Sequence, residues 1–144
     1  MEQMDIVLAS VHSNFSLDEE AQTNRIIKAL ENPNVNVLAH PSTRMIGSRE
    51  PIKMNLQKIM EKALDLSCFL EINASPERLD LWDDAVRRAR ELGLKLVIST
   101  DAHRVSELAN MKYGIFQARR GWASKSMILN TLSLKDLKQN LRRN

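Results

Sequence analysis

One cysteine, Cys68, is all that the 144 residues contain, so no disulfide can form within the chain. It lies in the apolar run CFLEI and reads as a small buried residue, neither a nucleophile nor half of a bridge. No uninterrupted apolar stretch approaches the roughly 20 residues that a membrane span needs. The N-terminus lacks a signal-peptide pattern. These absences predict a cytoplasmic protein in a reducing compartment. Internal repeats, low-complexity tracts and flexible linkers are missing too, which leaves residues 1–144 as a single domain. Charge of one sign hardly dominates: 21 Lys and Arg against 18 Asp and Glu give +3, which permits an anionic partner without demanding one. Arg119 and Arg120, and the tail residues Lys135, Lys138, Arg142 and Arg143, read as solvated helix faces.

What is present is an alternation of strand-like and helix-like segments. Strand candidates are Ile6 to Val11, Val35 to Ala39, Cys68 to Asn73 and Lys95 to Thr100. Between them, Ser16 and Glu19 make a capping box for a helix across Asp18 to Asn32, with Ile26, Ile27 and Leu30 inward. A second helix spans about Asn55 to Leu66, with Leu56, Ile59, Met60 and Ala63 at helical spacing. Ser75-Pro76 offers a cap and first-turn proline for a third, which runs to Leu92 and stops at Gly93. A weaker element lies around Tyr113 to Ala118, and Ser133 caps a terminal helix through Leu141. Trp82 and Trp122 read as packing residues in preference to base-stacking platforms, and Met54, Met60, Met111 and Met127 as core filler. Successive βα units predict an α/β fold with a mostly parallel sheet, flanking helices and right-handed crossovers. A complete βα barrel takes about 250 residues, so the chain holds roughly half to two thirds of one.

The three histidines carry the chemistry. His12, His40 and His103 each sit just past an apolar run, where parallel sheets place ligand and metal sites. Asp101 stands two residues before His103, so in extended backbone both side chains share a face. Imidazole and carboxylate together suit zinc, manganese or iron. Glu71 and Asn73 share one face of the third strand, and a buried Glu71 needs a cation, a metal or several N–H donors. Arg44, four residues past His40, is placed to hold a phosphate bidentately. No nucleophilic side chain is evident.

SVHS around His12, AHPSTR around His40, LEINAS around Glu71, STDAH around His103 and ARRGW at 118 to 122 together resemble the polymerase and histidinol phosphatase (PHP) domain. The match is strongest to the C-terminal part of that domain in bacterial and archaeal family X DNA polymerases. The resemblance implies a partial, distorted TIM-like (βα)7 barrel and phosphoesterase chemistry at a centre of up to three divalent ions. It also implies 3′-to-5′ exonuclease or end-processing activity in DNA repair. By motif, His12 and His40 would share one ion, Asp101 bind a second and His103 a third, with Glu71 and Arg44 as the catalytic candidates. The partner would be a DNA 3′ end or another phosphoester. The early family motifs, an H-x-H pair with further His, Asp and Glu, are not in this sequence. The chain is therefore expected to bind metal weakly and hydrolyse little alone, and to self-associate or pack against a missing N-terminal segment. Two other readings stand: a catalytically silent interaction domain, and a small-molecule phosphatase of the histidinol-phosphate type.

Overall fold

All four apolar runs become strands, each shorter than its run. The computed structural model describes residues 4–142, which leaves Arg143 of the basic tail outside the described residues. Strands β1 (Leu8–Ala9), β2 (Val37–Leu38), β3 (Phe69–Asn73) and β4 (Leu96–Ser99) pair in chain order, and every pairing is parallel. This is the parallel α/β arrangement expected. Among the described residues the sheet is open, with β1 and β4 at its edges.

The helices follow local chemistry, with two corrections. Helix α1 (Glu19–Leu30) is capped by Asp18 and not by Ser16: the Asp18 carboxylate accepts the Ala21 N–H at 2.7 Å, and Glu19 and Glu20 fill the first turn. Helix α2 (Leu56–Asp65) starts at Asn55, whose side chain accepts from Lys58 N, and buries Leu56, Ile59, Met60 and Ala63 as the spacing predicts. Helix α3 (Asp83–Leu92) ends on Gly93 at φ 75°, the expected left-handed stop. It does not begin at Ser75-Pro76. The Asn73 side chain takes the Ser75 N–H, the Ser75 carbonyl takes those of Arg78 and Leu79, and Asp80 returns to bridge Asn73. Donors that a first helical turn would leave free are committed to a tight turn instead. The weak element around Tyr113 is the middle of helix α4 (Met111–Arg120), preceded by a 3-10 segment, Val105–Asn110. Helix α5 (Leu134–Asn140) is capped by Ser133 as predicted.

The two faces of the sheet have different covers. Leu38, Leu70, Ile72, Leu96 and Ile98 point into the main core with residues of α1, α2 and α3, among them Ile26, Leu30, Ile59, Met60 and Val86. The alternate positions Val37 and Phe69 meet Leu129 and Leu141 in a smaller cluster, with Val97, Leu132 and Leu137 packed alongside. Further along that second face come Glu71, Asn73 and Ser99, which alternate with the core-facing residues of β3 and β4. The C-terminal segment thus covers this face at one end of the strands, and polar side chains occupy the other.

Arg142 fastens the tail. Its Nη1 donates to the carbonyls of Leu30, Asn32 and Val35 at 2.7, 3.2 and 3.2 Å and lies 3.2 Å from the Cys68 sulfur, so it caps the C-terminus of α1 instead of lying on a solvated face. Cys68 is buried, and burial pushes its thiol pKa up, in keeping with an inert packing role. At the β4 edge, the Asn130 side chain exchanges hydrogen bonds with Ile98 N and O at 2.8 and 2.9 Å, as a further strand would. At the β1 edge, Met4, Ile6 and Leu8 are exposed.

Among the methionines, Met60 is buried, Met54 and Met111 pack against the core, and Met127 is half-buried. Trp82 packs against the core as well. Trp122 does not: it is 62% exposed, which corrects the expectation of a packing residue. No helix among the described residues is long and apolar enough to cross a membrane.

Gly114 lets α4 approach the ends of β3 and β4, since a Cβ there would stand 2.5 Å from Ile98 Cγ2 and 2.8 Å from Ala74 Cβ. Gly114→Ala should therefore destabilise the chain in urea melts. Overpacking costs about 1–3 kcal/mol, against about 1 kcal/mol regained from helix propensity. A variant more stable than the parent would show that this contact is not tight.

Candidate metal centre

Parallel strands put all their C-terminal ends on one side, so the segments bearing His12, His40, Arg78 and Asp101 to His103 emerge together. Several residues there hold left-handed backbone that non-glycine residues adopt at a cost: His40 at φ 29°, Thr43 at 56°, Leu79 at 46° and Asp101 at 52°.

Glu71 is the buried anchor of this end. Its carboxylate accepts the backbone N–H of His40 at 2.5 Å and the Asn73 amide at 3.3 Å, and the Ser99 hydroxyl donates to its other oxygen. Several donors thus compensate the buried charge, one of the alternatives read from the sequence. Burial raises the Glu71 pKa, and these hydrogen bonds oppose that rise. In this geometry Glu71 positions His40.

The His40 ring is buried and stacks on His12, with centroids 5.3 Å apart and planes 25° from parallel. The two Nε2 atoms stand 3.4 Å from each other, and Ser10 Oγ lies 3.1 Å from that of His12. Two nitrogens bound to one tetrahedral ion at about 2.0–2.1 Å would be separated by about 3.4 Å, so the pair fits a shared ion. Burial, and then the positive charge of Arg78, lower the His40 pKa. Both favour the neutral imidazole that a metal requires. His40 Nδ1 is buried without a hydrogen-bond partner among the described residues.

Asp101 and His103 form a second group. Asp101 Oδ2 accepts from Arg78 Nε at 3.2 Å, and His103 Nδ1 lies 2.7 Å from the Asp101 carbonyl oxygen. Both side chains line a cavity of about 410 Å³ with Arg78, Arg104 and Glu107. Asp101 lies near enough to His40 for its charge to raise the His40 pKa, against the larger lowering effects. The structure therefore joins His12 to His40 and Asp101 to His103. Among the described residues, no group of three or more His, Cys, Asp or Glu side chains converges to hold one ion.

Arg44 differs from its expected placement. Its Nε and Nη2 donate to the carbonyls of Arg78 and Leu79 at 2.7 and 2.5 Å, so the planar fork staples the 74–82 turn and is not presented to an anion. Arg78 is the arginine beside Asp101, and one of its terminal nitrogens, Nη1, is buried without a partner among the described residues. Sequence reading missed Arg78 because its ion-pair partner lies 23 residues away and the stretch around it reads as a helix.

Asp80, also unforeseen, is wholly buried, and its carboxylate accepts the Ser42 N–H at 2.9 Å. Burial pushes its pKa up to about 6 from 3.8, despite the Ser42 hydrogen bonds and the Arg44 charge. Because the native state holds this proton more tightly than the unfolded chain, the stability Asp80 contributes is present below pH 3.8 and lost as pH rises through about 6. His40, its pKa lowered, acts with the opposite sign below 6.5. Asp80→Asn should flatten the fall in urea midpoint between about pH 4 and pH 6. An unchanged slope would remove Asp80 as its source.

No family model matches the chain. Over 142 residues it is 42% identical to the DNA polymerase/3′-5′ exonuclease PolX of Bacillus subtilis, a match covering 99% of this chain and 25% of that protein. It is 27% identical over 140 residues to a probable phosphatase of Thermoanaerobacter sp. (strain X514), covering 91% of this chain and 55% of the relative. A probable phosphatase of Caldanaerobacter subterraneus shows 27% identity over 150 residues, 98% of this chain and 56% of the relative. The chain thus spans a quarter of the polymerase's length and about half of the phosphatases'. The likeness extends far beyond five short motifs, and the chain resembles the C-terminal part of a PHP domain of the family X polymerase kind.

Proposed function

We propose that this chain is the C-terminal portion of a metal-dependent phosphoesterase module that trims DNA 3′ ends within a family X polymerase. It would form part of a TIM-like barrel and be weakly active or inactive alone. The observation that carries the reading is the His12–His40 pair, with facing Nε2 atoms 3.4 Å apart above the buried Glu71. The similarity to a polymerase/exonuclease and to probable phosphatases supports the reaction class.

A divalent ion held there would supply an acidified water and charge neutralisation at phosphoryl oxygens. Each of this chain's residues has its own task. His12 and His40 would hold one ion, Asp101 a second and His103 a third. Burial and the Arg78 charge keep His40 neutral and ready to ligate, and Glu71 fixes its backbone. Arg78, oriented by Asp101, faces the cavity where a phosphoryl group would sit and can donate to its oxygens. Arg44 supports that site from behind by holding the Arg78 and Leu79 carbonyls. Four side chains are too few for three ions, as even one catalytic zinc takes about three protein ligands. Further donors would come from a preceding segment, and the β1 edge, where Ile6 and Leu8 are exposed, offers it a place to pair. Two copies joined through that edge are the alternative.

The test is manganese-dependent release of nucleotides from a DNA 3′ end, with this chain and with one extended by the upstream family motifs. The extended chain should be active, and His40→Ala or Asp101→Ala should abolish its release. Glu71→Gln should weaken metal affinity by about 10- to 100-fold, as loss of an outer hydrogen-bond partner does. Activity unchanged by the alanine substitutions would remove those residues from the site. Three ions retained through dialysis by the unextended chain would refute its incompleteness. Hydrolysis of small phosphomonoesters without attack on DNA would favour the small-molecule phosphatase of the histidinol-phosphate type.

A further inference from the structure

The ARRGW stretch takes no part in the centre described above, yet its geometry is unusual. Gly121 lets α4 close onto α3, because a Cβ there would stand 2.4 Å from Val86 Cβ and 2.7 Å from the Asp83 carbonyl oxygen. The next residue, Trp122, takes a left-handed conformation at φ 61°, costly for a bulky side chain, and its indole lies largely in solvent. The Arg87 guanidinium stacks over that ring at 4.6 Å from its centroid. The outward stripe of α4 carries Lys112, Ile115, Phe116 and Arg119, of which Phe116 is 53% exposed. Arg120 is tied to Asp83 and Arg88 to Asp84, while Arg119 has no acidic partner among the described residues.

We propose that Trp122, with Arg87, Arg119 and Phe116, forms a binding site for single-stranded nucleic acid, distinct from the metal centre. Bases would stack on the indole and phenyl rings, and phosphates would meet Arg119 and Lys112. Stacking on aromatic side chains combined with backbone neutralisation is how single strands are held without regard to sequence. The charge pattern favours this occupant over an apolar protein segment, because Phe116 has Lys112 and Arg119 within one helical turn and Trp122 has the Arg87 guanidinium over its ring. Continuity supports it as well: Asn110 lines the cavity with Asp101 and His103, and α4 starts at the next residue and runs about 15 Å away from it. The site would hold the strand some distance from the end being trimmed. It rests on the nucleic-acid reading above for its ligand.

The experiment is binding of a fluorescent single-stranded oligodeoxyadenylate to the full chain in EDTA, followed by anisotropy. Binding in EDTA needs neither divalent ions nor hydrolysis, so a chain without phosphoesterase activity still tests the site. Trp122→Ala and Arg119→Glu should each weaken binding by about tenfold or more, and Trp122→Phe should retain most of it. Inorganic polyphosphate should compete poorly, since it has charge without bases. Absence of binding, variants that bind like the parent, or equal competition by polyphosphate would overturn the proposal. So would burial of this face against a second copy or a protein segment in place of the oligonucleotide. If Trp122→Ala fails to fold, the exposed Arg119→Glu variant decides.

Discussion

A carboxylate enclosed at the end of a parallel sheet organises the rest of this end of the molecule. Glu71 comes from β3, the Ser99 hydroxyl that donates to it from β4, and the His40 N–H from just beyond β2. Three neighbouring strands therefore meet on one side chain. The left-handed backbone of His40 persists because its amide is held there, and the ring is turned against His12 from the β1 loop. Removal of the Glu71 side chain would release an amide, a hydroxyl and a strained loop together, since satisfied hydrogen bonds keep the buried group tolerable.

The sheet makes room for this by dividing its second face. Near one end, Val37, Phe69 and Val97 are closed over by Leu129, Leu132, Leu137 and Leu141. The tail that supplies these leucines is fastened by Arg142 at the end of α1. The other end of the same face presents Glu71, Asn73 and Ser99, and the loops there carry the imidazoles, Arg78 and Asp101. Apolar cover and polar chemistry thus follow one another along strands only a few residues long, and β-strand alternation keeps both apart from the helix-covered core.

Much of this was legible in the chain itself, for physical reasons. Long apolar runs punctuated by capping residues gave the four strands and helices α1 and α2, and the position of each histidine past a run placed it at the right end of the sheet. What escaped was set by contacts between distant residues. Ser75-Pro76 resembles a helix start, but Asn73 and Asp80 draw the segment into a turn, an outcome decided by tertiary pairing. Arg44 read as an anion holder because its loop lies at the correct end, whereas its fork is taken by two carbonyls of the 74–82 turn. Nothing in the spacing marked Arg78 or Asp80, whose significance comes from Asp101 and Ser42 across the fold. Trp122 was read as packing because large aromatics usually are, and only the left-handed turn after Gly121 puts it outside.

The account depends most on His12 and His40 acting as one pair of ligands. Titration of the isotope-labelled chain with zinc near pH 7.5, followed through the imidazole nitrogens by NMR, examines that pairing without needing turnover. The account predicts that the Nε2 signals of His12 and His40 shift together along a single binding curve. A curve on which only one of them moves, or neither, would contradict it.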